Sequence, residues 1–283
     1  MNTDEKIRIP SFWGMHAEPG KALRLVLGLL PFVLLVAGYL YLSAERNREN
    51  PDEKLMPTVS KMVASFQEFA FKPDVKTGTI LFWSDTYVSL RRLIIGASIA
   101  SAIALFLGIN LALFEGLEAL LMTMLRFWNM IPPPILLPAL FIAFGVEELS
   151  KIVLIVLSMA PAMTLAMHAM VSKMAGDQIT RSFTLGASQL DIVYRIMLPQ
   201  TLPRLIETLR TSLGMAWYSL ILAEAIAASS GIGYRIYLVR RYLAMDVIIP
   251  YALWVVVLGY TMNLILGGLL QWAFPWYGKQ KEN

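Results

Sequence analysis

Long apolar stretches dominate the chain, and six of them are long enough to cross a lipid bilayer. A membrane-spanning helix needs about 20 consecutive, mostly apolar residues, because the hydrocarbon layer is about 30 Å thick. The pattern therefore predicts an all-α, polytopic membrane protein with six transmembrane helices. The predicted apolar spans cover residues 23–42, 93–114, 120–144, 152–171, 205–228 and 247–274.

The segments between the spans set the predicted organisation of the chain. In the polar stretch 43–87, apolar residues recur at helical spacing, which predicts an amphipathic helix that packs outside the membrane core. These residues are Val59, Met62, Val63, Phe66 and Phe69. The predicted parts are a cytoplasmic segment 1–20, a first transmembrane helix 21–42, an external loop 43–87, a five-helix core 88–276 with a loop at 173–204, and a tail 277–283.

Composition agrees with a lipid environment and narrows the chemistry. The chain is 57% hydrophobic and 16% charged, whereas soluble domains carry about 25% charged residues. It has no cysteine and two histidines far apart, which excludes disulfides and thiol chemistry and leaves no histidine-based metal centre. The sequence contains no basic arm of the kind that binds nucleic acids. Lysines and arginines divide evenly between the segments on the two sides of the membrane, so the positive-inside rule does not set the orientation. Only the basic flank of the first helix favours a cytoplasmic N-terminus.

The third predicted span is interrupted by polar residues and prolines. Arg126 and Asn129 precede Pro132, Pro133 and Pro134. Prolines remove amide donors and prevent a regular helix, and broken helices of this kind often line transport sites. Arg126, Asn129 and Pro133 are therefore candidate residues of a translocation path. A structural kink near the membrane surface, with Arg126 reaching to the interface, is the alternative.

The fifth predicted span contains an acid. Glu224 is a functional candidate because an ionisable group inside a membrane is costly. The alternative is a structural hydrogen bond to the backbone of the turn at 231–233. Trp217, near the middle of the same span, could stack on a solute or fill the core. Both residues are candidates for the path, and the sequence shows no obvious intramembrane partner for Glu224.

The loop between the fourth and fifth spans predicts a short amphipathic helix. Ser188 can cap it, with Asp191 completing a capping box, and Gly186 supplies a turn before it. We expect Pro199 to stop this helix. Its apolar face must be buried against the membrane or in a groove of another protein, and the pattern leaves both open. The expected stripe consists of Leu190, Val193 and Met197, widened by Ile192 and Ile196.

The same loop resembles the loop signature of ABC importer permeases. Gly186, Ile196, Leu198 and Pro199 match the spacing G-x9-I-x-L-P of its second half. The first half of the signature is not matched, since Thr180, Arg181 and Ser182 stand where it has Glu-Ala-Ala. The carboxylate that could form a specific salt bridge to the ATPase is therefore missing. From about residue 56 to 276 the chain is similar to the nitrate, sulfonate and taurine branch, at Ser89, Gly96, Gly145, Leu209, Arg210, Trp217, Glu224, Gly231 and Gly233. Leu165 and Ala166 replace a polar Asn-Thr pair of that branch.

This resemblance implies a type I ABC importer permease fold and a set of partners. The expected complex has two copies of this chain, two cytoplasmic ATPase subunits and a periplasmic or lipid-anchored solute-binding protein. It would lie in a bacterial inner membrane, with both termini cytoplasmic, and would carry a small anion or vitamin-precursor-like molecule. The residues implied to couple to the ATPase are Gly186, Ala187, Ser188, Leu190, Val193, Ile196, Met197, Leu198 and Pro199.

The sequence contains no nucleotide-binding or hydrolase motif. ATP and Mg are therefore expected on the partner ATPase, with no cofactor, metal or enzymatic activity in this chain. The alternative function is a self-contained secondary transporter or channel. That class often shows inverted repeats and intramembrane charge pairs, and the sequence makes neither evident.

Overall fold

The computed structural model describes residues 20–50, 53–74 and 78–279, without the side chains of 174–178, 227, 278 and 279. The predicted segment 1–20, except Gly20, and the last residues of the predicted tail lie outside this part. All regular elements in the described residues are helical, which confirms the predicted fold class. The α-helices are α1 Lys21–Glu49, α2 Val59–Phe71, α3 Leu81–Leu113, α4 Glu115–Asn129, α5 Leu137–Phe144, α6 Glu148–Thr184, α7 Gln189–Asp191, α8 Leu198–Ala227, α9 Ile232–Arg240, α10 Met245–Ala273 and α11 Pro275–Lys279.

Among the described residues, fewer helices than the predicted six are long and apolar enough to cross a membrane by themselves, so the six-span count is not confirmed. In the described part of the chain, four helices are long and apolar enough to span: α1, α3, the first part of α6 (148–173) and α10. A fifth span is available if α4 and the helical segment after it count as one bent span. The predicted span 205–228 lies in α8, which is not among the four. Arg210 and Glu224 lower the hydropathy of α8, and both contact other helices.

The proline run breaks the third predicted span, as the sequence predicted. α4 ends at Asn129, a single 3-10 turn covers Pro133–Leu136, and α5 follows. The two arms meet at an angle of 95°. Because the three prolines supply no amide donors, the helix of α4 cannot continue through them.

The core forms where α3 packs against α6 and α8. Small residues recur every four positions on α3, and Ala100 and Ala104 are completely buried there. A Cβ added at Gly96 would lie 2.7 Å from Cγ2 of Ile155, and one at Gly108 would lie 2.5 Å from Cβ of Met167. The glycines therefore allow the backbones of α3 and α6 to approach closely, as in other membrane helix pairs.

Replacing Gly108 with alanine should lower the free energy of unfolding by about 1–3 kcal/mol, because the added methyl overlaps the side chain of Met167. Gly116→Ala on α4 is the matched control, since a Cβ there meets nothing within 4 Å. That control should be neutral or slightly stabilising. Unfolding in detergent micelles measures both, and an equal effect of the two substitutions would contradict the packing of α3 on α6.

The predicted amphipathic helix is α2, and it packs on the ends of α3 and α10. The ring centroids of Phe66 and Phe82 lie 5.1 Å apart, and those of Phe82 and Tyr251 lie 5.2 Å apart. Thr58 caps α2 by accepting from the Lys61 N–H. Helix α1 is mostly exposed, and its last turns are held by hydrogen bonds from Tyr39 and Ser43 to the carbonyl of Pro57.

Candidate functional site

Two groups of residues at opposite ends of α8 stand out as candidate functional sites. Residues 186–199 precede α8 and run into it, and we call them the coupling segment. Asp85, Ser89, Arg92, Glu148, Glu224 and Arg235 meet at the far end, and we call them the ionic network.

The coupling segment begins with a glycine turn after α6. Gly186 has a φ of 81°, a left-handed conformation that non-glycine residues rarely adopt. The amide of Ala187 donates to the carbonyl of Ser182 at 3.0 Å, and the amide of Gly186 donates to that of Phe183 at 3.0 Å. These bonds satisfy free carbonyls at the end of α6 and confirm the predicted turn.

A capping box starts α7, as the sequence predicted. Oγ of Ser188 accepts from the amide of Asp191 at 3.2 Å. In return, the Asp191 carboxylate accepts from the Ser188 amide at 3.3 Å and from its hydroxyl at 2.5 Å. These bonds fix the direction in which the chain leaves the glycine turn.

Hydrogen bonds from Ser188 lower the pKa of the Asp191 carboxyl, and the nearby charge of Arg195 adds to this. Because the folded-state pKa is depressed, the contribution of Asp191 to the stability of the segment is present at neutral pH. It is lost only as the pH falls through that lowered pKa. In Ser188→Ala, the pKa should rise towards about 3.9. Carbon-13 NMR titration of labelled aspartate in micelles measures this, and an unchanged pKa would contradict the capping box.

The middle of the coupling segment is a π-helical turn, Ile192–Met197. It buries Ile192, Val193 and Met197 against Ile109 of α3 and Val171 of α6. The segment thus packs on its own chain through this face, an arrangement that the sequence did not predict.

Two predictions about this segment are wrong. Leu190 is 66% exposed instead of sharing the buried stripe, because it lies in α7, before the π turn whose side chains pack on α3 and α6. Pro199 does not stop the helix, since it lies in the first turn of α8. A proline is tolerated there because the first amides of a helix have no intrahelical acceptor.

The other face of the segment is open to solvent. Phe183 and Leu185 at the end of α6, and Leu190 and Tyr194 in the segment, are exposed apolar residues. Arg195 lies beside them and pairs with Asp191 at 3.2 Å. Gly186, Ser188 and Pro199 are exposed, whereas Ala187, Ile196 and Leu198 are half-buried.

The ionic network is centred on Arg92 of α3. Its Nη1 donates to Oε1 of Glu224 on α8 at 2.7 Å. Its Nε and Nη2 donate to the carboxylate of Glu148, at the start of α6, at 2.8 and 2.5 Å. The side chains of Arg92 and Glu224 are 1% and 0% exposed. One guanidinium thereby joins three helices through charge-assisted hydrogen bonds.

Glu224 also binds the turn between α8 and α9. Its carboxylate accepts from Oγ of Ser89 at 2.8 Å and from the amide of Gly233 at 2.9 Å. Gly231 has a φ of 120°, and a Cβ on it would lie 2.5 Å from Cδ of Glu224. Only glycine fits at this position. The hydrogen bond to the turn considered in the sequence analysis is present.

A second ion pair ties α3 to α9. The carboxylate of Asp85 accepts from Nε of Arg235 at 2.8 Å and from the amide of Gly231 at 2.9 Å. Arg91 lies 3.4 Å from Glu148 at the exposed edge. Each buried carboxylate of the network therefore faces a guanidinium, as buried charges require.

Sequence reasoning missed most of this network. Arg92 lies just before the predicted second span at 93–114 and was not a candidate residue. The expectation that Glu224 has no obvious intramembrane partner is corrected by the ion pair between the two residues. One signal could have revealed it. Asp85, Ser89 and Arg92 lie four and three residues apart, so they share one face of an otherwise apolar helix.

The candidate path residues do not line one cavity in this structure. Arg126 and Asn129 are exposed in the last turn of α4, and Pro133 is half-buried in the turn that follows. Trp217 is buried on α8, with no acceptor for its indole N–H among the described residues. Glu224 lies inside the ionic network. A role of these five residues in transport remains a prediction.

Comparisons with known proteins agree with this architecture. Taurine transport system permease protein TauC of Escherichia coli (strain K12) is 29% identical over 70% of this chain and 72% of its own length. The bicarbonate transport system permease protein CmpB of Synechococcus elongatus is 27% identical over 69% of each chain. A chain of the inward-facing MetNI methionine ABC transporter superposes with a TM-score of 0.61 at 19% identity, covering 68% of this chain and 95% of that one.

A family model extends the match across the core. It is described as the binding-protein-dependent transport system inner membrane component, and it matches residues 86–279. This range contains the coupling segment and every residue of the ionic network except Asp85. The chain belongs to this family of inner membrane transport permeases, in its taurine, sulfonate and bicarbonate branch.

Proposed function

We propose that this protein is the membrane-spanning subunit of an ATP-driven importer that carries a small anion such as a taurine-like sulfonate. Two copies would form the translocation path between them. Two cytoplasmic ATPase subunits would hold ATP and Mg, and a periplasmic or lipid-anchored binding protein would deliver the solute. The solute class is taken from relatives that are named as transport permeases for taurine, aliphatic sulfonates and bicarbonate.

The geometry of the coupling segment carries this proposal. One face is packed on α3 and α6, the other presents Leu190 and Tyr194, and its last turn continues into α8 without a break. A partner that moves the segment would therefore move α8. Because Glu224, in the last turn of α8, belongs to the ionic network, that movement would be transmitted to the far end of the bundle.

Connectivity supports a cytoplasmic coupling segment and an external ionic network. α3, α6 and α10 run from the network end towards the coupling end, and α8 runs in the opposite direction. If α1 and the bent unit of α4 and α5 also cross, both termini lie on the side of the coupling segment. That side would be the cytoplasm, where an ATPase finds ATP.

Reconstitution tests the proposal. Vesicles containing this chain, its candidate ATPase and a purified binding protein should accumulate radiolabelled taurine only when ATP is present on the ATPase side. Omission of either partner should abolish uptake. Uptake that proceeds without the ATPase would refute an ATP-driven importer and favour a self-contained transporter.

A further inference from the structure

Arg210 is a half-buried cation on α8 that contacts the candidate spanning helix α10 and has no carboxylate partner among the described residues. On α8, its Nε donates to Oδ1 of Asn263 on α10 at 2.8 Å. Asn263 lies ten residues before the end of the spanning helix α10, about 15 Å along its axis. A charged group at this depth is costly and usually serves a partner or a transport path.

The nearest acid on the same helix is engaged elsewhere. The carboxylate of Glu207 accepts from Nη1 of Arg204 at 3.2 Å and from the hydroxyl of Tyr277 at 2.7 Å. In the part of the chain that the structure describes, only Nε of Arg210 has an acceptor. Nη1 and Nη2 therefore keep donor groups for an additional partner, and a guanidinium edge suits a carboxylate or sulfonate.

Gly267 makes room for this guanidinium. A Cβ added to Gly267 would lie 3.3 Å from Cζ and from Nη2 of Arg210. The guanidinium therefore lies against the backbone of α10, and Asn263 holds it from one side. A side chain fixed in this way loses little conformational freedom when an anion binds.

An apolar cavity of about 270 Å³ lies between α3, α8 and α10, and sequence neighbours of Arg210 and Asn263 line it. Leu209 and Leu213 line it from α8, and Met262 and Leu266 line it from α10. These residues flank Arg210 and Asn263 in the sequence. A guanidinium one residue along α8 from an apolar cavity is a pairing that suits a small molecule with an anionic head and a short apolar body.

We propose that Arg210, held by Asn263 and Gly267, is an anion subsite on the translocation path that takes the sulfonate or carboxylate head of the solute. The inference rests on the proposed function and specifies the substrate class of the importer as a small sulfonate or carboxylate. It assigns the anion-binding role to the half-buried Arg210 between α8 and α10 and no longer to Arg126, which is exposed on α4.

A single thiol can report on this charge, because the chain contains no cysteine. Leu213→Cys places the thiol in the cavity. The experiment compares its reaction rates with 2-sulfonatoethyl methanethiosulfonate and with the cationic trimethylammoniumethyl reagent, read from the intact mass of this chain. Arg210 should favour the sulfonate reagent by at least about tenfold, and Arg210→Gln should bring the ratio near one. Equal rates with Arg210 present, or no reaction with either reagent, would overturn the proposal.

Uptake separates this inference from the proposed function. In vesicles with taurine as the probe, Arg210→Gln should lower uptake by about 10- to 100-fold, and Arg210→Lys should retain part of it. Thermal stability should stay near wild type, as should uptake by the control Arg241→Gln. Normal uptake by both Arg210 variants refutes the subsite alone. If wild type transports nothing, the proposed function fails, and the thiol rates still decide on Arg210.

Discussion

Replacing Arg92 with leucine should lower the free energy of unfolding by about 3–5 kcal/mol, because the buried Glu224 carboxylate then loses its cation. The two side chains are 1% and 0% exposed, so water cannot replace the lost hydrogen bonds. Glu148 loses two donors at the same time. Unfolding in mixed micelles, followed by tryptophan fluorescence, measures the change.

The adjacent arginine is a matched control. The side chain of Arg91 is 49% exposed and lies 3.4 Å from the same Glu148. Ion pairs at such sites contribute about 0–1 kcal/mol, so Arg91→Leu should have little effect. Equal losses for Arg91→Leu and Arg92→Leu would contradict the buried position of Arg92.

A double substitution tests the ion pair itself. Arg92→Leu combined with Glu224→Leu removes both charges, so no isolated carboxylate remains from this pair. The double variant should therefore lose less stability than the sum of the two single variants. Strict additivity would show that Arg92 and Glu224 act independently, against the 2.7 Å contact between them.

Features that depend on neighbours in the sequence could be predicted. The proline break after α4, the glycine turn at Gly186 and the capping box of Ser188 and Asp191 are each set by residues within a few positions. The helical positions of Gly96 and Gly108 likewise follow from a period of about 3.6 residues. For these elements, local backbone preferences and the tertiary structure agree.

The ionic network could not be predicted in the same way. Arg92 lies 56 residues from Glu148 and 132 from Glu224, so no periodic pattern relates them. A charge at the edge of an apolar stretch has the same appearance in sequence whether it faces solvent or a buried acid. Its partner depends on how α3, α6 and α8 pack, which a single sequence leaves open.

The wrong predictions about the coupling segment have a different cause. The apolar stripe was derived from the α-helical period, but Ile192–Met197 forms a π turn with a wider repeat. Val193 is buried in this turn, as the stripe implied, whereas Leu190 in the preceding α7 is exposed. The six-span count is not confirmed for a related reason, since α8 carries polar residues whose partners lie on other helices.

A substitution on the exposed face of the coupling segment should have a large effect on ATPase binding. Under the proposed function, Tyr194→Glu should weaken binding of the ATPase by about 30-fold or more, because an exposed aromatic anchor typically contributes 2 kcal/mol or more to an interface. Tyr194 is 57% exposed, so the substitution should leave the unfolding temperature unchanged. The affinity of purified components and ATP-dependent uptake are the two measurements.

Tyr242→Glu is the matched control, because Tyr242 is 70% exposed between α9 and α10, at the network end of the bundle. It should bind the ATPase with wild-type affinity. Val193 is unsuitable for this test, although its place in the predicted stripe suggests it. It is only 5% exposed, and a charge buried there would disrupt the packing on α3 and α6. The contrary outcome is that Tyr194→Glu and Leu190→Glu both bind the ATPase normally and support uptake. The ATPase would then dock elsewhere, and the coupling segment would only connect α6 to α8.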